Sequence, residues 1–314
     1  MNVMPTLRRR RLTMLTLLAA ALAAVGLWAL TRDGERPVLA SDPHAKLELP
    51  RAELDRLLRA TAAASSGPQA ELEAEGRRLF RSAAVAKRGE SCQTCHTEGA
   101  ENPLLGSTPH PVAGVAGDFT GPREPPPLFA VGQTAPYFWV GDAPTLQETS
   151  VRTIKNHFVA PGSEQQIAAN AAALVAYMKT IKAPVSDFDL GTLSTAALRG
   201  ETVFQGKGGC IGCHGGPQFT DNVFHNLCVP KTTPADTDPG IPQPGPSGCP
   251  PERPGAFFNT PQLRDVVNSA PYMHNGVLET LREVVEFYNT QSIISPLSLT
   301  PAEISDLVAY LEAL

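Results

Sequence analysis

The five-residue pattern Cys-x-x-Cys-His occurs twice in this sequence. The first copy runs from Cys92 to His96 and the second from Cys210 to His214, so the copies begin 118 residues apart. Two thiols three residues apart lie about one helical turn from each other, so both can bond to the vinyl groups along one edge of a haem. The histidine that follows can bind the iron as its proximal ligand. The pattern therefore predicts two covalently bound haem c groups.

Other uses of paired cysteines fit the sequence less well. Zinc ribbons place their two cysteine pairs closer together, and a redox dithiol belongs to a scaffold of alternating strands and helices. Here each pair is followed by histidine, and no run of residues alternates convincingly as a strand. The residues assigned to haem attachment and iron ligation are Cys92, Cys95, His96, Cys210, Cys213 and His214.

The N-terminus predicts export of the rest of the chain. Four arginines, residues 8–11, precede the uncharged segment 12–30. This segment is long enough to span a bilayer and long for the apolar part of a signal peptide. We slightly favour an uncleaved membrane anchor over a cleaved signal peptide for residues 1–30. The positive-inside rule leaves the arginines in the cytoplasm and the remainder in the periplasm, with membrane contact only through the N-terminal segment.

Charge and the remaining cysteines support an exported protein. The formal net charge of −5 argues against nucleic-acid binding, which needs a basic face. Cys228 and Cys249 have no histidine at haem spacing, and they bracket a proline-rich insert. In an oxidising compartment they are expected to form a disulfide, and free thiols remain the alternative.

The chain repeats itself at long range. Residues 126–141 match residues 261–276 without a gap, at an interval of 135 residues from 126 to 261. Both copies contain Ala-Pro-Tyr, and both halves close with Leu-Val-Ala-Tyr, at 174–177 and 307–310. An internal duplication explains this pattern.

The helical signals predict an all-α protein. The side chains Leu281, Val284, Val285 and Tyr288 have the spacing of one helix face, and Thr300-Pro301 is typical of a helix start. We predict two tandem cytochrome c-like domains, at about 70–188 and 189–314. Residues 31–69 are predicted to form a tether that contains one short amphipathic helix near 52–64.

These motifs together resemble the bacterial di-haem cytochrome c peroxidase/MauG family. The resemblance covers nearly all of the exported chain and includes Phe138-Trp139-x-Gly141, Phe219 to Asn222 and Pro271 to Gly276. It implies an oxidoreductase that reduces hydrogen peroxide at the N-terminal haem, with electrons arriving through the C-terminal haem. A small periplasmic cytochrome c or copper protein would donate them. The alternatives are MauG-like oxidation of residues in a partner protein, or a non-catalytic electron-transfer cytochrome.

The resemblance also implies roles for individual residues. Tyr288 falls where MauG carries a tyrosine as the second ligand of the C-terminal haem iron, whereas classical peroxidases carry methionine there. Met273 is a rival ligand, and a core aromatic is the simpler interpretation of Tyr288. Trp139 matches the tryptophan that lies between the two haems, although it could equally be a core residue. The carbonyls of Ser269 and Pro271 match positions that hold a calcium ion.

The distal side of the N-terminal haem departs from the family pattern. Relatives carry a glutamate where this sequence has Val159. We therefore propose His157 as the distal acid/base, because histidine titrates near neutral pH, with Glu164 as a second candidate nearby. His110 could be a displaceable iron ligand or an ordinary loop histidine.

Overall fold

The structure analysed is a computed structural model, and it describes residues 49–82, 91–97, 106–107, 123–231, 240–241, 249, 256–290 and 297–314. The uncharged segment 12–30 and His110 lie outside the described residues. Within these ranges no helix is both long and apolar enough to cross a membrane.

Helices dominate the described residues, as the sequence predicts. The helices are α1 (Arg51–Ala64), α2 (Gln69–Arg81), α3 (Cys92–Cys95), α4 (Leu146–His157), α5 (Glu164–Met178), α6 (Asp187–Leu190), α7 (Thr195–Gln205), α8 (Leu281–Thr290) and α9 (Pro301–Leu311). Two antiparallel strand pairs also occur, β1 (His96–Thr97) with β2 (Gly106–Ser107) and β3 (Phe224–Asn226) with β4 (Phe257–Asn259). These strands were not predicted, because two or three residues are too few to show an alternating pattern.

Side-chain caps fix where the main helices begin. The Thr145 hydroxyl accepts a hydrogen bond from the Glu148 backbone N–H at 3.1 Å at the start of α4. At the start of α9, Thr300 and Glu303 satisfy each other's backbone N–H groups, and Pro301 occupies the first turn. This confirms the predicted start of α9, and it follows from the orphan N–H groups that every helix N-terminus carries.

The N-terminal half is built around the crossing of α2 and α5. Gly76 lies at this crossing, where a Cβ atom would meet the Ala173 carbonyl oxygen at 2.0 Å. Phe80 packs on Tyr177 beside it, with ring centroids 5.4 Å apart. Helix α1 confirms the predicted helix near 52–64, but it buries Leu54 and Leu57 in this same core. This part of the predicted tether therefore belongs to the folded N-terminal half.

The C-terminal half repeats the same crossing with α7 and α9. A Cβ on Gly200 would lie 1.9 Å from the Asp306 carbonyl oxygen, and Phe204 packs on Tyr310 at 5.3 Å. Both halves belong to one compact unit, Asp42–Leu314. In each half, the helix before Cys-x-x-Cys-His is thus held tightly against the helix that closes the half.

The segments before α4 and α8 share backbone features at positions 135 residues apart, the interval of the sequence repeat. Tyr137 bridges to Ala143, and Tyr272 bridges to Leu278, 135 residues further on. The positive φ angles of Phe138 and Gly141 recur at Met273 and Gly276. Side chains at matching positions of the two halves can therefore be compared directly.

The predicted disulfide between Cys228 and Cys249 is confirmed. Their Cα atoms are 5.5 Å apart, and Cys228 is buried. The two cysteines are 21 residues apart in the sequence, so the bond closes a loop that would be open in the unfolded chain.

We expect Gly76→Ala and Gly200→Ala each to lower the free energy of unfolding by about 1–3 kcal/mol, because a methyl group cannot enter either helix crossing without moving backbone. Chemical denaturation of the haem-loaded protein measures this. Gly67→Ala is the control, since its nearest neighbour would be at 3.7 Å. Equal stability of all three variants would contradict the crossing geometry.

Candidate functional site

Each Cys-x-x-Cys-His motif lies at the wall of a large cavity. The N-terminal cavity has about 1060 Å³ of empty space and is lined by Cys92 and His96. The C-terminal cavity has about 1610 Å³ and is lined by Cys210, Cys213 and His214. Mostly apolar walls that carry the motif histidine and attachment thiols fit a haem in each half.

Hydrogen bonds fix the orientation of both motif histidines. Nδ1 of His96 is 3.1 Å from the Pro126 carbonyl oxygen, and Nδ1 of His214 is 3.0 Å from the Phe219 carbonyl oxygen. A carbonyl can only accept, so Nδ1 carries the proton in each ring and Nε2 keeps the lone pair that can bind iron. Burial also lowers the pKa of His214, which favours the neutral, ligand-competent ring.

Burial also determines the state of the attachment thiols. It raises the pKa of Cys92 to about 11, and that of Cys210 to about 11. The pKa of Cys213 is raised for the same reason. At neutral pH these cysteines are protonated, apolar-facing groups at the cavity walls. They differ in this respect from a reactive dithiol, whose pKa is lowered.

Helix α8 forms one wall of the C-terminal cavity. The four residues predicted to share a helix face, Leu281, Val284, Val285 and Tyr288, all line this cavity, which confirms the shared face. Burial raises the pKa of the Tyr288 hydroxyl, and the nearby thiols of Cys210 and Cys213 raise it further. Tyr288 therefore shares one cavity with His214. Met273 lines this cavity too.

Helix α4 forms the corresponding wall of the N-terminal cavity, and its cavity face differs. The residues of α4 that line the cavity are Leu146, Thr149, Ser150 and Thr153. Each lies 135 residues before one of the four α8 residues. Leucine is found at the first position in both halves. At the other three positions, hydroxyl side chains in the N-terminal half correspond to two valines and Tyr288 in the C-terminal half.

The two predicted distal acid/base candidates have different positions. Residue 157 is the last residue of α4 and follows Thr153 by four positions in the helix. The Glu164 carboxylate accepts a hydrogen bond from the Arg56 guanidinium at the start of α5. Glu164 is not among the described residues that line the cavity, and Val159 is 63% exposed. The structure therefore does not bring Glu164 to the N-terminal cavity.

Trp139 lies in the wall that the two cavities share. It lines both cavities, together with Asn259 and Gln262 among others. Its Nε1 donates a hydrogen bond of 2.6 Å to the Glu124 carbonyl, and its own carbonyl accepts one of 2.8 Å from the Asn259 N–H. The ring makes an edge-on contact with His274, with centroids 6.4 Å apart.

Glu124 is a site residue that the sequence analysis missed. Its side chain is buried at 4% exposure and lines the C-terminal cavity, as do Ser269 and Pro271. Its backbone N–H donates to the His274 carbonyl at 2.8 Å. One of its carboxylate oxygens would lie 3.3 Å from a Cβ on Gly276. An acidic residue in a run of prolines gives no periodic signal, which explains why it was missed.

Helical halves that each surround a cavity with Cys-x-x-Cys-His define a c-type cytochrome with two haem sites. The family profile described as "Di-haem cytochrome c peroxidase" matches residues 70–196. Cytochrome-c peroxidase IdrP1 of Denitromonas iodatirespirans is 35% identical over 46% of this chain and 48% of the relative. The chain thus spans about half the length of this relative.

Two longer matches extend the comparison. Methylamine utilization protein MauG of Methylorubrum extorquens is 29% identical over 76% of this chain and 76% of that protein. The diheme peroxidase BthA from Burkholderia thailandensis has the same fold, with a TM-score of 0.59, 21% identity and coverage of 79% of this chain and 86% of that chain. Residues 70–196 are thus similar to the di-haem cytochrome c peroxidase family, and the similarity to a MauG protein extends over most of the chain. Proteins of this family carry covalently bound haem c.

We expect Trp139→Phe to lower the free energy of unfolding by about 1–3 kcal/mol, because it removes the N–H donor to the Glu124 carbonyl in the shared wall. Denaturant titration followed through haem absorbance measures the loss. Phe138→Leu is the control, since Phe138 is 38% exposed and lines one cavity only. A loss no larger than that of the control would show that the Nε1 bond does not support the wall.

Proposed function

We propose that this protein is a periplasmic di-haem peroxidase that reduces hydrogen peroxide at the N-terminal haem and receives electrons through the C-terminal haem. Two tandem cytochrome c-like domains, about 70–188 and 189–314, would have arisen by internal duplication. Segment 12–30 would direct export and could remain as a membrane anchor. The observation that carries the proposal is the difference between the two cavity walls, with Tyr288 on α8 and hydroxyls on α4.

The difference between the walls gives the two irons different coordination. In the C-terminal half, His214 and Tyr288 would bind the iron from the two sides of one cavity. The side chains of Leu146, Thr149 and Thr153 offer the N-terminal iron no comparable ligand. That iron would be held by His96 and remain open to a small molecule. When bound, the haems supply the oxidation–reduction chemistry that neither aliphatic nor hydroxyl side chains can perform.

The residues around the haems would direct electrons and protons. Trp139 lies in the wall common to both cavities and would carry electrons between the halves. His157 would exchange a proton with peroxide, since helix α4 places residue 157 one turn beyond Thr153. A small cytochrome c or copper protein would be the electron donor. Alternatively, the oxidised protein would act on residues of a partner protein.

An anionic phenolate at Tyr288 would stabilise the higher oxidation states of iron. Burial raises the pKa of this hydroxyl, so the free side chain is neutral, and binding to iron would have to displace its proton. A low potential in the C-terminal half would favour the alternative, in which stored oxidising equivalents act on a partner protein, over electron uptake from a high-potential donor. This property distinguishes the proposed protein from a relay with a methionine ligand, which raises the potential.

The ferric, haem-loaded protein should show one high-spin and one low-spin EPR signal, and only the high-spin signal should respond to peroxide. Tyr288→Phe and Tyr288→Met should change the low-spin signal alone. Tyr272→Phe is the control, because Tyr272 lines the same cavity but donates its hydroxyl to the Val266 carbonyl at 3.2 Å. Two low-spin haems that ignore peroxide would instead identify an electron-transfer cytochrome.

We further propose a calcium ion between the two halves, held by the carbonyls of Ser269 and Pro271. The nearby buried carboxylate of Glu124 fits this role, because calcium prefers oxygen ligands and carboxylates. The ion would balance the charge of Glu124 and stiffen the wall next to Trp139.

Calcium at about 100 times its dissociation constant should raise the free energy of unfolding by about 2.7 kcal/mol over the chelated protein. Calorimetry with EGTA and with added calcium measures the difference. Glu124→Gln should reduce this response, whereas Glu71→Gln, an exposed carboxylate on α2, should leave it unchanged. A wild-type protein indifferent to chelator and calcium would rule out the ion.

A further inference from the structure

The residues that line the N-terminal cavity determine what a small molecule would meet there. One wall of this cavity is the face of α4 formed by Leu146, Thr149, Ser150 and Thr153. Among the described residues that line the cavity there is no carboxylate and no lysine or arginine. The polar groups that this wall of α4 offers are therefore neutral hydroxyls.

Two of these three hydroxyls are already used by the helix itself. The Thr149 hydroxyl donates to the Thr145 carbonyl at 3.0 Å, and the Ser150 hydroxyl donates to the Leu146 carbonyl at 2.9 Å. Such bonds turn the hydroxyl toward the preceding turn. No hydrogen bond joins the Thr153 hydroxyl to another described residue, so this hydroxyl can donate to a molecule in the cavity.

The internal repeat is a second observation that points to Thr153, and it does not depend on these hydrogen bonds. The interval of 135 residues pairs Leu146 with Leu281 and Thr153 with Tyr288. Members of both pairs line their own cavities. Thr153 thus occupies, in the N-terminal half, the place from which Tyr288 would reach the iron in the C-terminal half. A threonine side chain is several atoms shorter, so the hydroxyl at this place leaves room for a small molecule.

We propose that Thr153 is the positioning residue of the N-terminal distal cavity, and that its hydroxyl donates a hydrogen bond to the small molecule opposite His96. The inference rests on the proposed function, since it requires an open side of the N-terminal haem. The bond orients hydrogen peroxide without transferring a proton, because a threonine hydroxyl does not ionise near neutral pH. Proton transfer remains with the imidazole proposed at residue 157.

Fluoride binding to the ferric, haem-loaded protein tests the hydrogen bond, because fluoride is small and accepts hydrogen bonds strongly. Thr153→Val should weaken fluoride binding about tenfold, the effect of one hydrogen bond. Thr153→Ser keeps the hydroxyl and should stay within about threefold of the wild type. Thr149→Val is the matched control, since that hydroxyl is committed to the helix backbone, and its fluoride affinity should not change.

Thr153→Tyr tests the position of the side chain by a spectroscopic readout. It should convert the high-spin EPR signal to a second low-spin signal and abolish fluoride binding. A high-spin signal that persists in this variant, or equal fluoride affinities of Thr153→Val and Thr149→Val, would overturn the inference while leaving the proposed function intact. Two low-spin haems in the wild type would overturn both.

Discussion

The hydrogen bond from Trp139 Nε1 to the Glu124 carbonyl is the contact on which the two-cavity arrangement depends. The Glu124 backbone N–H in turn donates to the His274 carbonyl, so one short segment ties the Trp139 turn to the matching turn of the C-terminal half. His274 also stacks on Phe258 at 3.6 Å, which connects this junction to β4. Because Trp139 and Glu124 line this wall, these hydrogen bonds to the Glu124 and His274 carbonyls hold the two cavities in a fixed relative position.

The two halves use one framework for two purposes. The glycine crossings at Gly76 and Gly200 and the matching turns hold the framework constant. The cavity walls then differ through a few side chains on α4 and α8, where Thr153 and Tyr288 occupy matching positions. Under the proposed function, this difference in side chains would leave one iron open and bind the other from both sides. Because the two halves share this framework, the single substitution Thr153→Tyr is expected to give the N-terminal iron the coordination proposed for the C-terminal iron.

The sequence predicted the parts of the structure that depend on regular spacing. The Cys-x-x-Cys-His motifs, the α8 face and the Thr300 cap all follow fixed intervals. The structure confirms the α8 face and the cap, and each motif lies at a cavity wall. The short strands, the packed position of α1 and the role of Glu124 could not be predicted, because they depend on contacts between distant segments. The position of Glu164 could not be predicted for the same reason. Glu164 is close to His157 in sequence, but it pairs with Arg56 and does not line the cavity. The repeat interval already paired Thr153 with Tyr288, so this part of the site was available from the sequence.

The neutral character of the α4 wall also constrains the chemistry. A distal carboxylate would both orient peroxide and accept its proton, so one side chain would serve two tasks. A wall of threonine and serine hydroxyls can only orient, because these groups stay protonated at neutral pH. Proton transfer must then come from a separate group, which is the role proposed for the imidazole of residue 157. In such a site the affinity for small ligands and the rate of proton transfer depend on different residues, so the two properties can vary independently.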